Sequence, residues 1–220
     1  MSTQIDTSSL VDRVYEYLLD RIVTGAVKYG DSLSIKDIAA ELNVSTMPVR
    51  EAVKRLEFEQ VVSIKPRSSC KVRTPSRRMI REVYEMREIL ELYAVQKSAG
   101  KVGSDALARL REIVEAMRRL SAETDVAARE KKAIALDREF HEELCRLAGN
   151  ELLNSYHRQL GLHVNMTLIH EKTYHSLERD WPDVHAEILH CVESEPARAA
   201  EALRKHFTNV TDLLARNGAG

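Results

Sequence analysis

The sequence predicts a mostly α protein in two parts: an N-terminal winged helix-turn-helix followed by an all-α helical bundle. Two observations carry this. The first 75 residues pass from three helical stripes to two short alternating runs, VVSIK and CKVRT, flanking the turn segment PRSS. Everything after Ser76 keeps a helical period, without a β-branched alternating run.

The elements follow in order. Val11, Val14, Leu18 and Ile22 share one stripe and predict a helix over 9–24, which Gly25 stops. Ile35, Ile38, Ala39 and Leu42 mark a short helix, and Asn43 sits at the following turn, where a left-handed backbone is tolerated. Ser45 is the expected N-cap of the next helix, and Pro48 falls in its first turn, where a missing N–H costs nothing. The alternating runs form a β-hairpin, the wing, ending near Thr74-Pro75. Domains of 1–75 and 76–220 are expected. The second holds six helices, at about 76–100, 103–121, 125–148, 150–172, 177–194 and 196–216, with Ser76 and Thr124 as caps.

Composition bounds the function. With 220 residues, 44% hydrophobic and 30% charged, the chain can bury real cores and is not a disordered segment. Neither a signal core nor an Arg-rich transit pattern opens it, and no apolar run reaches membrane-spanning length, so no membrane partner is expected. Cys70, Cys145 and Cys191 lack CxxC spacing and cannot all pair, which points to a reducing cytoplasm. The net charge of −1 hides an asymmetry: from Val61 to Arg81 there are seven Lys or Arg and no Asp or Glu. A basic run inside a β pattern favours a polyanionic partner over a merely solvated face.

In a helix-turn-helix the N-terminal part of the second helix enters the major groove of double-stranded DNA. Here it carries Ser45, Thr46, Met47 and Arg50. Arg50 can grip guanine bidentately, while Ser45 and Thr46 can reach phosphate or base. Lys36 is placed for a phosphate, Arg67 at the wing tip for a minor groove, and Lys65, Lys71 and Arg73 for phosphates. The competing reading pairs Arg50 with a nearby Glu and gives the head to protein contacts.

The second part hides polar residues on apolar stripes. Asp137 and His141 lie four residues apart beside Ile134, Leu144 and Ala148. His185 shares a stripe with Trp181, Ile188 and Val192, and His206 with Ala199, Leu203, Val210 and Leu213. One carboxylate and three inward imidazoles make a mid-row divalent metal set, suited to zinc, with nickel and manganese as alternatives. Each could instead be a satisfied core group, though four inward polar side chains would need four separate partners. His163 is the reserve ligand. His157, His170, His175 and His190 read as surface or interface residues, and Cys145 as a small core thiol. Arg87 shares an apolar stripe with Val83, Leu90 and Ala94 and needs an anion, either Glu91 or a bound carboxylate.

LSIKDIAAELNVSTMPVREAVKRLE resembles the DNA-binding domain of GntR-family transcription regulators, although most members carry Arg where Thr46 stands and Gly where Arg67 stands. LDREFHEELCRLAGN resembles the D-x3-H signature of the FCD effector domain of the FadR-type branch, and HAEILHCVESEPARAAEALRKHF its two-histidine segment. The resemblance implies a divalent metal on Asp137, His141, His185 and His206. VYEMREILE resembles the motif on that domain's first helix, where an Arg lines the ligand cavity, which implies an effector role for Arg87.

The expected function is therefore a ligand-responsive transcriptional regulator, with repression the expected sign. It would sense a small organic or sugar acid at the metal and bind a palindromic operator as a homodimer held by residues 76–220. Two alternatives stand beside it: a metal-dependent hydrolase-like enzyme fused to a DNA-binding head, and a DNA-binding protein whose metal is purely structural.

Overall fold

The computed structural model describes the backbone of residues 9–65, 69–120, 124–171 and 181–217, and side chains over all of these but 69, 127, 130–131, 164–171 and 213–217. Two compact units divide the chain, Met1–Thr74 and Pro75–Gly220.

Unit one begins with α1 (Leu10–Val23), whose N-cap Ser9 forms a reciprocal capping box with Asp12. Gly25, at φ 75°, ends it as the sequence predicts. Next come β1 (Ser32–Leu33), α2 (Ile35–Glu41) and α3 (Thr46–Phe58), then β2 (Val62–Lys65) and β3 (Ser69–Val72). Asn43 takes the left-handed conformation expected of the turn, at φ 51°. Val14, Leu18 and Ile22 of α1 are buried with Val49, Ala52, Val53 and Leu56 of α3, and α1 packs on α3. The wing has one strand more than the sequence indicates. The sheet order is β1-β3-β2, with Ser32 opposite Lys71 and Leu33 opposite Cys70. Two residues are too few to display a period, so β1 left no signal.

Unit two contains, among the described residues, six helices: α4 (Arg77–Ser98), α5 (Ser104–Arg119), α6 (Val126–Arg146), α7 (Glu151–Glu171), α8 (Trp181–Ser194) and α9 (Pro196–Asn217). Ser76 caps α4 by accepting from the Met79 N–H. At α6 the cap is Asp125, not Thr124: its Oδ1 accepts from the Ala128 N–H at 3.2 Å, three residues into the turn, as N-cap geometry requires. Helix α4 packs against α6, α7 and α9, α5 against α6 and α8, and α8 against α9. The core they enclose includes Leu110, Ile113, Phe140, Leu144, Ile188, Leu203 and Phe207. All three cysteines are free and buried, and burial pushes each thiol pKa up, that of Cys70 to about 11. No helix among the described residues is long and apolar enough to cross a membrane.

Candidate metal centre and nucleic-acid interface

Helical periodicity sets the centre of unit two. The stripe that buries Phe140 and Leu144 on α6 also buries His141, and the inward stripes of α8 and α9 bring in His185 and His206. One nitrogen from each of the three imidazoles lies within 4.8 Å of the other two. The rings of His141 and His206 stack at 5.0 Å, and His185 meets both edge-on at 5.3 and 5.1 Å. Phe140, 4.8 Å from His185, and Phe207, 6.1 Å from His141, wall the cluster. Asp137 stands at its edge, its Oδ1 3.2 Å from His185 Nε2 and 3.8 Å from His141 Nε2.

The protons on these rings are assigned by their partners. His141 Nδ1 lies 2.6 Å from Glu91 Oε2, and His185 Nδ1 lies 2.7 Å from the Trp181 carbonyl. Carboxylate and carbonyl oxygens only accept, so each Nδ1 carries a hydrogen, and in the neutral ring Nε2 is left with a lone pair. Both Nε2 atoms are buried and make no hydrogen bond. In this state they turn lone pairs toward a carboxylate oxygen, an arrangement that needs positive charge between them. Burial lowers the pKa of His141, against the pull of Glu91, and burial with the neighbouring His141 and His185 rings lowers that of His206 well below its ordinary value. Burial would raise the Asp137 carboxyl, yet His141 and His185 hold it well below the usual range. A partly buried carboxylate and imidazole nitrogens able to offer lone pairs fit a divalent cation.

Arg87 is 3% exposed, between the rings of Tyr84 and Phe207 at 5.6 and 5.5 Å. Its Nε donates to Glu91 Oε1 at 3.1 Å, so the internal carboxylate weighed in the sequence is the partner found. Glu91 is wholly buried and receives a further donor: His157 Nε2 lies 2.8 Å from its Oε1. Burial opposes its charge, but His141 and Arg87 hold its pKa well below the carboxylate norm. The surface expectation for His157 is thus corrected. It is 2% exposed, because α7 packs on α4 and turns this residue toward the Glu91 carboxylate. His163 is half-buried on α7 and lies outside the three-histidine cluster, His190 is exposed, and His170 and His175 lie outside the described side chains.

In unit one, Ser45, Thr46, Met47 and Arg50 are all exposed at the start of α3, Met47 by 64%. Ser45 occupies the N-cap position without a side-chain cap bond, which leaves its hydroxyl to other partners. The pairing of Arg50 with a Glu does not occur among the described residues, whereas Arg21, Lys54 and Arg55 are engaged by Glu41, Glu51, and Asp12 with Glu59. Lys36 is exposed on α2, Lys65 on β2 and Lys71 on β3, and Arg73 donates to Gln60 at 3.3 Å. Arg67 lies outside the described residues. Within the basic run, Arg78 and Arg81 pair with Glu82 and Glu85 on α4, whereas Lys65 and Lys71 of the wing form no ion pair among the described residues.

Residues 10–72 match the bacterial regulatory proteins of the gntR family, and residues 82–209 match the FCD domain. The transcriptional regulator McbR of Escherichia coli K12 is 30% identical over 207 residues, covering 94% of this chain and 81% of that protein. The gluconate operon transcriptional repressor of Bacillus subtilis is 36% identical over 107 residues, 48% of this chain and 43% of that one. A crystal structure of a GntR transcriptional regulator from Rhodococcus sp. RHA1 superposes with a TM-score of 0.84 at 23% identity, covering 97% of this chain and all of the other, and shares the fold.

Proposed function

Since this chain belongs to the GntR family of bacterial transcriptional regulators and carries an FCD domain, we propose that it is a metal-dependent sensor of a small organic or sugar acid that represses transcription until the acid binds. In this reading residues 1–75 bind a palindromic operator and residues 76–220 bind metal, acid and a second copy of the chain. The relatives are regulators, not enzymes.

One observation carries the metal. His141 and His185 each commit Nδ1 to an acceptor and aim a bare, buried Nε2 at the Asp137 carboxylate. With His206 they supply three nitrogens, and Asp137 beside them would add an oxygen, a set that zinc takes readily. An acid oxygen would fill an open position on the ion, and Arg87 would add a guanidinium beside it. The name of the gluconate operon repressor supports a sugar acid and a repressor. Thr46, Met47 and Arg50 would read bases, with Lys36, Ser45, Lys65 and Lys71 on the backbone and Arg67 at the wing tip.

The homodimer is supported by α4. Opposite the face that buries Val83, Arg87, Glu91 and Ala94, this helix exposes Met86, Ile89 and Tyr93 at 46, 60 and 48%. On α7, packed against it, Leu152 and Tyr156 are also exposed. A second copy laid on this face in two-fold symmetry would cover the apolar side chains and present two heads to two half-sites.

The test is a thermal-shift screen of small carboxylates, gluconate among them, on chelator-treated and zinc-loaded protein. Expected are about one divalent ion per chain and an acid-induced shift in the loaded protein alone. Equal responses with and without zinc would sink the anchoring role of the metal.

A further inference from the structure

We infer that Glu91 is the positioning residue of the metal centre: it fixes the ring of His141 so that Nε2 is the ligating atom. This rests on the metal reading above. Three donors from three helices converge on the carboxylate. His141 Nδ1 of α6 reaches Oε2 at 2.6 Å, while His157 Nε2 of α7 and Arg87 Nε of α4 reach Oε1 at 2.8 and 3.1 Å. An ordinary Arg–Glu pair one helical turn apart needs only the last of these. The contact at Oε2 is additional, made by a residue fifty positions away, and it falls on the nitrogen of His141 that faces away from Asp137.

The consequence follows from donor and acceptor roles. A carboxylate accepts at both oxygens, so it imposes the hydrogen on His141 Nδ1 and leaves Nε2 bare. Glutamine has the same shape but one accepting and one donating end. Its oxygen belongs where two donors meet, one of them a guanidinium, which turns the amide nitrogen toward His141. Nδ1 must then accept, the ring hydrogen moves to Nε2, and the ligand atom is lost.

The experiment measures zinc affinity by chelator competition for the wild type, Glu91→Gln and the double variant Arg87→Met with Glu91→Met. The double variant removes the cation that Glu91→Gln would leave without a counter-charge. His190→Ala, at an exposed histidine on α8, is the control. Folding is followed by the fluorescence of Trp181. In both Glu91 variants zinc affinity should fall about 10- to 100-fold, the range for losing a carboxylate behind a ligating histidine, and the control should match the wild type. Long-range 15N NMR of chelated wild-type protein should show His141 protonated on Nδ1. A folded Glu91 variant within about twofold of the wild type overturns the inference, since that is far less than the expected loss. So does a wild-type His141 protonated on Nε2, a result that stands even if no variant folds. A wild type that takes up no zinc defeats the metal reading instead, and the ring measurement still decides whether Glu91 holds His141.

Discussion

Acid should unfold the metal-free protein along a course set by its buried imidazoles. Burial lowers the pKa of His141, and burial and neighbouring rings lower that of His206 further. Below the ordinary histidine value, the unfolded chain therefore takes up protons that the folded one refuses. Stability is full above that value and falls as pH drops beneath it. A histidine that stays neutral in the fold from pH 7.5 to 5.5 costs about 1.4 kcal/mol across that window, from 2.303RT per proton and a free value near 6.5. His206 contributes that in full and His141 a part, because Glu91 opposes its shift, so the loss is about 1.4–2.7 kcal/mol. Glu91 and Asp137 are held low, contribute above their ordinary values, and add their loss only at lower pH. The assay is urea unfolding in chelator, followed at Trp181. This is the chain's one tryptophan, and its indole N–H donates to Asp137 at 3.1 Å, so the signal reports the site. An unfolding free energy that holds or rises between pH 7.5 and 5.5 refutes the reasoning. His206→Asn should flatten the slope.

Four further outcomes are expected. Arg50→Ala should cost about 1–3 kcal/mol on an operator selected from random DNA and relax preference at one position per half-site, read by fluorescence anisotropy at fixed salt. Lys71→Ala should weaken binding to all sequences alike and reduce the salt slope by about one. Ile89→Glu should yield monomers by light scattering at concentrations where the wild type is dimeric, whereas a retained dimer would place the interface elsewhere. Phe140→Ala, at a wholly buried ring against His141 and His185, should cost about 3–5 kcal/mol in the Trp181 transition and leave nonspecific DNA affinity intact.

Much of this was legible in one dimension, and the exceptions share a cause. Asp137, His141, His185 and His206 announce themselves because each interrupts a regular apolar stripe, and a stripe is a local property of spacing. Their convergence follows once three such helices share a core. Glu91 does not announce itself: an acid four residues after an arginine reads as an ordinary helical pair, and the two histidines that make it a hub lie 50 and 66 positions downstream. His157 is masked by its own helix, where exposed Leu152 and Tyr156 blur the distinction between inner and outer faces. The hairpin is visible because β2 and β3 are local to each other. Strand β1 is not, since it exists only through pairing with Lys71 and Cys70 almost forty residues on.

The burial of Cys70, Cys145 and Cys191 has a practical side. Only the thiolate reacts with maleimides or oxidants. With its pKa raised to about 11, Cys70 is ionised in roughly one molecule in ten thousand at neutral pH. Cys145 and Cys191 are shifted in the same direction and are at most 2% exposed. The protein is thereby chemically quiet, and a single introduced thiol would be the reactive one. Placed by Met47→Cys on the outward side of the first turn of α3, it would carry a fluorophore that reports the approach of DNA in real time, with no native cysteine to remove first.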